Sequence, residues 1–430
     1  MAPRTRIAAV CLDVGSAWTK AALVQHDGGL AGFAEHPTTA GDVLAGMDAA
    51  VRAVSAADGA GAPGPELLAC SSAGGGLRLA AIGTDVLATT EAGHRVALSA
   101  GAHVVHVHAG PLQPADVRAL RASRPGVVLL IGGADGDDPA VLLHNAGRLA
   151  AARIRYPIVL AGNTAARTDA VAMLRGTGRT VVACDNVTPR LGEIVPEPAR
   201  AALIQLYRRH SLGGRGPATA PRFRRIVRVA TSDAVAHAAA ELARIRGTRV
   251  LLVDVGCATT DVHSAEPDAG PAVRTVEGDL GVRSAAAGVL IGAQAEGLVD
   301  PVEADLLTGT VARMTSETGY VPRDPGSAAE DRRIAALAAV VAVRRHVRTH
   351  PDAASGIGLV VLSGGVFRQR TAAGLTAVER TLRGDSELAP TFGDAPVAVD
   401  ADFAVAPAGL LAANGRADAA ASLLRDHLLG

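Results

Sequence analysis

The stretch RVLLVDVGCATTDVH, residues 249–263, carries four apolar residues, Val250 to Val253, that deliver Asp254 to a tight turn at Gly256. Beyond that turn Thr259, Thr260 and Asp261 lead into a returning strand. A buried strand that ends in a carboxylate and a small-residue turn offers backbone N–H groups and hydroxyls to phosphate oxygens, while the Asp reaches a hydrated Mg²⁺. Taken alone, the same features describe many ordinary hairpins, so the reading depends on the rest of the chain.

The N-terminal region repeats the pattern. Ile7 to Leu12 is an apolar strand reaching Asp13, followed by VGSAWTK and a second strand over Ala21 to Gln25. DVGSAWTK at 13–20 and DVGCATTD at 254–261 share Asp-Val-Gly, a small residue and a Thr just before a terminal charged residue. Such a separation far exceeds a solenoid period and predicts two similar domains. The sequence has 42 basic residues and only one of them, Lys20, is lysine. It falls inside the first copy, where a compact ammonium suits a tight loop better than a guanidinium fork.

Bulk properties bound the function. With 430 residues and 49% hydrophobic content the chain can bury substantial cores in two or three domains. A net charge of zero with five Phe, three Tyr and one Trp gives neither the electrostatic footprint nor the stacking platforms of a nucleic-acid partner. The opening MAPRTRIAAV reads as a strand and not a secretion signal. Ile334 to Val343, the most apolar helical stretch, is too short to span a bilayer. Cys11, Cys70, Cys184 and Cys257 lack C-x-x-C spacing, which argues against zinc and against a disulfide framework. The expectation is a soluble cytoplasmic protein with no membrane partner.

Other segments fill in the organisation. A helical pattern runs from Asp42 to Ala56, and a strand at Leu67 to Cys70 meets SSAGGGLRLAAIG, which reads as a hairpin whose Gly74–Gly76 loop is also a candidate phosphate contact. His106 and His108 of HVVHVH share a strand face with no identifiable third ligand, so a structural strand is preferred over a metal site. From Val127, alternating apolar runs and helices give a βαβαβ signature for an inserted parallel sheet. Asp135, Asp137, Asp138, Asn163, Asp185 and Asn186 fall at its strand ends, as ligand-edge residues or as helix caps. LGGRGPATAP at 212–221 marks a linker, Asp233 to Ile245 a helix, EGDLG a turn with Glu277, Asp279 and Gly281, and Glu330 to Arg348 a long helix. LVVLSGGVFRQ at 359–369 is a strand and a Ser-Gly-Gly turn where a flat ring or a phosphate can approach backbone closely.

The order DVGSAWTK, DVGCATTD, VVLSGG resembles the phosphate 1, phosphate 2 and adenosine motifs of the actin, Hsp70 and sugar-kinase ATPase superfamily. The resemblance implies an α/β fold of two ribonuclease-H-like domains around a nucleotide cleft, with an inserted βαβαβ subdomain. The expected bounds are 1–110 for the first domain, 111–212 for the insertion and 222–430 for the second, its C-terminal helices returning to the hinge. ATP and Mg²⁺ are the implied cofactors. By the same resemblance Asp13 and Asp254 would hold hydrated Mg²⁺. Gly15, Ser16, Thr19, Gly256, Thr259, Thr260 and Asp261 would line the phosphates, with Lys20 neutralising charge there. Ser363, Gly364 and Gly365 would face the nucleoside, and Asp254 or Asp279 would orient an attacking water. APAGLLAANG at 406–415 is similar to the small-residue helix packing of the superfamily's hinge. Where the superfamily commonly continues Gly-Gly, this chain has Cys257-Ala258.

More narrowly, the whole chain resembles the accessory protein of the glutamate mutase (methylaspartate mutase) system, the MutL type unrelated to mismatch repair. CSSAGGGLRL at 70–79, TEAGHRVALSAGAHVV at 90–105, LLIGGADG at 129–136, HNAGRLA at 144–150, AGN at 161–163 and DNVTPRLGEIVPEPAR at 185–200 carry that likeness. It implies an ATP-dependent chaperone that reactivates an adenosylcobalamin-dependent mutase, its partner. A small-molecule kinase, with Asp279 as base, and a non-hydrolysing actin-like scaffold are the competing functions on this fold. Oligomeric state is not legible in the sequence.

Overall fold

A computed structural model of the protein describes residues 7–39, 42–56, 65–72, 77–99, 102–176, 178–211, 221–368 and 372–429. The chain opens with β1 (Ile7–Val14), β2 (Trp18–Gln25), β3 (Leu30–Pro37), α1 (Val43–Ala56) and β4 (Glu66–Ser71). The next stretch holds β5 (Leu77–Gly83), α2 (Val86–Ser99), β6 (Ala102–Ala109), α3 (Pro114–Ala122), β7 (Val127–Leu130), α4 (Ala140–Ala151), β8 (Ile158–Leu160), α5 (Arg167–Arg175), β9 (Val181–Ala183) and α6 (Glu197–Ser211). After it come α7 (Pro221–Ile226), β10 (Val227–Ala230), α8 (Thr231–Arg246), β11 (Arg249–Val255), β12 (Thr260–Ala265) and β13 (Val273–Glu277). The chain then forms α9 (Ala286–Ala295), α10 (Pro301–Ser316), α11 (Pro325–Thr349), β14 (Ile357–Ser363), α12 (Ala372–Arg383), α13 (Ala389–Phe392), β15 (Val397–Val399), α14 (Val405–Ala413) and α15 (Ala417–Leu424).

The chain divides into two compact units, one of residues 1–75 with 212–430, the other 76–211. In the larger unit the sheets β3-β2-β1-β4-β10 and β13-β12-β11-β14-β15 have one topology. In each, three antiparallel strands are followed by two parallel additions. This is the ribonuclease-H-like order, formed twice. Alternation along β1 explains the layering: Val10, Leu12 and Val14 pack with Val43, Met47 and Val54 of α1 on one face, while Ala9 and Cys11 turn to the other. There they share a core with α8, α14, α15 and the inner face of the second sheet, at Val250, Leu252, Leu359 and Val361. The outer face of that second sheet packs on α11, whose ten consecutive residues Ile334 to Val343 are all buried. Strands covered on both faces read as unbroken apolar runs, which is why Val250–Val253 shows no polar alternation.

Gly409 sets the contact between α14 and α8. A Cβ there would collide with the carbonyl oxygen of Ala234, so the helix backbones approach as closely as the small-residue run APAGLLAANG suggested.

The smaller unit is an all-parallel sheet in the order β6-β5-β7-β8-β9 with helices between successive strands. The expected βαβαβ is present as β7-α4-β8-α5-β9, but the insertion begins at Gly76, not at residue 111. β4 and β5 belong to different sheets, so the expected hairpin between them does not form. Likewise β10, expected at the start of the second domain, completes the first sheet beside β4. A short apolar run states that it is buried but not which sheet receives it. The Gly74–Gly76 loop and the linker residues 212–220 lie outside the described residues.

Candidate functional site

The two hairpins are built alike. In the first, Asp13 lies opposite Lys20 and Val14 opposite Thr19, and the turn is closed by Gly15 N–H donating to the Trp18 carbonyl at 3.0 Å. In the second, Asp254 lies opposite Asp261 and Val255 opposite Thr260, and Gly256 N–H donates to the Thr259 carbonyl at 2.9 Å. A Cβ at Gly15 would come 2.6 Å from that Trp18 oxygen, and one at Gly256 2.9 Å from the Thr259 oxygen. Glycine is therefore required by each turn itself.

Asp13 is 5% exposed and held on both oxygens. Thr231 at the start of α8 donates to Oδ1 at 2.7 Å, and Lys20 Nζ donates to Oδ2 at 3.2 Å. The same ammonium favours the charged form of Asp254 on the other hairpin. Burial foremost raises the pKa of Asp254; Lys20 and the nearby Ser363 hydroxyl oppose the rise, while Asp13 and Asp400 add to it. Asp261 is pushed up to about 7, first by burial and then by repulsion from Asp254, and its Oδ1 has no hydrogen-bond partner among the described residues.

The remaining expected residues divide by role. Thr19 and Thr260 are fully buried and brace the turns from within: Thr19 pairs with Thr38, which donates to the Gly15 carbonyl, and Thr260 donates to the Leu280 carbonyl at 2.7 Å. Ser16 and Thr259 are partly exposed at the turn tips, and the Thr259 hydroxyl bonds to Asp261. Ser363 sits opposite Asp254 across β11–β14 and donates to Asp400 Oδ2 at 3.3 Å, which puts it at the carboxylates. Gly364 has φ +134°, and a Cβ there would strike the Val255 carbonyl, so glycine lets β14 run against the second hairpin. Gly365 follows in a short 3₁₀ turn. Asp279 is drawn to Arg345, whose Nη1 lies 2.9 Å from Asp279 Oδ1 and 2.8 Å from Glu277 Oε2.

Cys257-Ala258 is accommodated by a brace. The Cys257 carbonyl accepts from Arg283 N–H at 2.9 Å and Ser284 N–H at 3.1 Å, and Gly281 leaves room for Ala258, which a Cβ would overlap. Arg283 is itself fixed by a buried pair with Asp331. Burial raises the Cys257 thiol and nearby Lys20 pulls it down.

Three contributors were not found from the sequence. Asp400 is 1% exposed, accepts the backbone N–H groups of Ala404 and Val405 at the start of α14, and reaches Ser363; the carboxylate just after an apolar run in VAVDAD was its one signal. Thr231 holds Asp13. Arg368 stacks its guanidinium over Phe33 and Phe403 at 5.7 and 5.6 Å, and Lys20 Nζ lies 5.6 Å from the Phe403 ring. Phe33 is on the first sheet and Arg368 follows the last motif of the second, so no local pattern joins them.

The donor set suits a hard cation. Asp13 and Asp254 supply oxygen ligands of the kind Mg²⁺ takes through its water shell. Among the described residues no group of three or more His, Cys, Asp or Glu is placed to hold a metal directly. No helix of the described residues is long and apolar enough to cross a membrane.

Twin ribonuclease-H-like sheets, joined through α8 and α14 and bringing two Asp-tipped hairpins to one lysine, define a protein of the actin-like ATPase fold class. Comparison with known proteins narrows the class. The MutL protein family model matches residues 9–428, and the chain belongs to that family. Protein MutL of Clostridium tetanomorphum is 35% identical over 299 residues, 64% of this chain and 64% of that protein. Among solved structures, nucleotide-free acetone carboxylase is 14% identical with a TM-score of 0.35, over 86% of this chain and 67% of that one. A ROK family glucokinase from Streptomyces griseus, in complex with glucose and AMPPNP, is 11% identical with a TM-score of 0.35, over 97% and 99%.

Proposed function

We propose that the protein binds MgATP between its paired hairpins, hydrolyses it, and serves as the accessory chaperone that reactivates an adenosylcobalamin-dependent mutase of the glutamate mutase type. The observation that carries the reading is the convergence of Asp13, Asp254 and the only lysine of the chain at two turns of identical construction. Partly exposed backbone at Gly15–Ser16 and Gly256–Thr259 would cradle phosphate oxygens, with Lys20 matching their charge. Asp13 and Asp254 would hold magnesium through its hydration shell, where it neutralises charge on the phosphates. Of the two candidates for orienting the attacking water, Asp254 is the better proton acceptor. Its proton affinity is raised, whereas the Asp279 carboxylate is engaged by Arg345, and a carboxylate held by a guanidinium is a weaker base.

The deciding measurement is phosphate release by the purified protein with and without a cobalamin mutase inactivated by turnover. ATP turnover that needs no added acceptor and rises with the mutase, together with recovered mutase activity, is the expected result. Turnover strictly dependent on a sugar or acid acceptor would establish the kinase reading in its place, and pelleting filaments with ATP and no hydrolysis would establish the scaffold.

A further inference from the structure

The outward face of α10 carries large apolar side chains left exposed among the described residues. Val302 is 69% exposed and Leu306 74%, and Ile291 on the adjoining α9 is 67% exposed. The buried residues Ala304, Leu307, Thr310, Val311 and Met314 hold the opposite face of α10 against the core. The outer residues 302, 305, 306, 309, 312, 313 and 316 recur at three- and four-residue steps, the seam spacing of helices that pair along their length. At the centre of this seam is Gly309, unfavourable inside a helix. A Cβ there would meet no atom within 4 Å, so nothing among the described residues requires glycine, whereas a helix crossing at that point would.

We infer that this seam is an isologous interface at which α10 packs antiparallel against α10 of a second copy of the chain, with Gly309 on the two-fold axis. Residues equally spaced on either side of 309 then face each other across the axis. Leu306 meets Ala312 of the second copy, a large side chain against a small one. Val302 meets Ser316 in the same way, and Asp305 meets Arg313. Charge complementarity selects this occupant: the seam carries one acid and one base, four residues to either side of the glycine, and only its own antiparallel copy satisfies both twice. Neither Asp305 nor Arg313 forms an ion pair among the described residues. Arg313 lies 5.9 Å from the Tyr320 ring and close enough to Asp324 to lower its pKa, and its guanidinium would leave the ring to pair with Asp305 of the second copy. The inference stands apart from the nucleotide reading, because no residue of the seam belongs to the hairpins.

Sedimentation velocity of the full chain at tens of micromolar tests it. The wild type is expected to sediment as a dimer that dissociates on dilution, and Leu306→Glu as a monomer with an unchanged circular-dichroism spectrum. Asp305→Arg and Arg313→Asp alone each weaken the dimer about tenfold or more, by placing like charges opposite, and together restore it. Gly309→Cys should give a disulfide-linked dimer on mild oxidation, because the axis brings position 309 against itself. A wild type that stays monomeric throughout that range overturns the inference. So does a dimer that survives Leu306→Glu, or a double charge exchange that dimerises no better than the single ones; either result would mean a different surface or a different partner.

Discussion

Lys20 stands at the centre of the residue-scale picture. Its ammonium is 3.2 Å from Asp13 Oδ2, 5.6 Å from the Phe403 ring, and close enough to Asp254 to stabilise its charge. Lys20→Arg keeps the charge but replaces a point ammonium by a planar fork that does not fit the same space. Nucleotide affinity, titrated calorimetrically, should fall about tenfold, roughly 1.4 kcal/mol. Cys257→Gly removes a Cβ from the second turn and should tighten nucleotide binding in the same titration; unchanged affinity would mean that the brace at Arg283 and Ser284 already holds the turn clear of the phosphate. His263 is a different kind of prediction. It is fully buried, neither ring nitrogen has a hydrogen-bond partner among the described residues, and burial foremost lowers its pKa to about 3. Its neighbour His346 is likewise lowered to about 3 by burial, although Ser264 and Thr275 bond both its ring nitrogens. Both stay neutral in the fold while the unfolded chain takes up protons near pH 6.5, so stability is full above that pH and is lost as the pH falls towards 3. His263→Leu should reduce that acid loss and, by removing unpartnered polar atoms, raise stability at neutral pH by about 1–2 kcal/mol, as read from urea unfolding at pH 5 and pH 7.5.

At the scale of elements, the contact between α14 and α8 is the joint on which both sheets rest. Gly409 touches the Ala234 carbonyl so closely that no side chain fits between them. Gly409→Val must separate the helices and open the shared core, so it should cost roughly 3 kcal/mol and lower the thermal midpoint sharply. The same joint ties Asp400 to the site: its carboxylate accepts the first N–H groups leading into α14 while meeting the Ser363 hydroxyl beside Asp254. Much of this level was legible in advance. The long helix found at Pro325–Thr349 was expected over Glu330 to Arg348, and α8 over Asp233 to Ile245, because apolar residues recur at helical spacing over many turns. The pairing of β5 was not, because Leu77–Gly83 is a run whose neighbours are residues 102–109 and 127–130. Nothing within seven residues says which partner wins.

For the whole molecule, the duplication places one Asp-tipped turn on each sheet, so a ligand gripping both turns should stabilise the folded chain as a unit. With MgATP at a hundredfold excess over its Kd the gain is about 2.7 kcal/mol, visible as a higher midpoint in differential scanning calorimetry. Asp13→Asn should remove most of that gain; its ligand-free midpoint falls as well, because an amide that still accepts from Thr231 turns its NH2 towards Lys20, so the ligand-induced shift is the quantity to compare. An equal shift in the variant would mean that the nucleotide does not use the first hairpin. The counterpart of Lys20 in the second copy is Asp261, pushed up to about 7 by burial and Asp254. The two hairpins share one backbone but carry a cation at this position in the first and a carboxyl that titrates near neutrality in the second, so the pair of turns is electrostatically asymmetric.

The sequence by itself determined the two hairpins, their order, the special place of the lone lysine and the family, because each is a local pattern: an apolar run, an acid, a glycine turn, a fixed spacing. Tertiary structure alone decided that Thr19 and Thr260 brace their turns, that Asp400, Thr231 and Arg368 belong with Asp13 and Asp254, and that β10 closes the first sheet after an insertion of 136 residues, 76–211. The physical reason is one of range. Backbone periodicity and turn chemistry act over a few residues and are written in the chain, whereas the hydrogen bond from Thr231 to Asp13 spans 218 positions and exists only because two sheets pack on the same pair of helices.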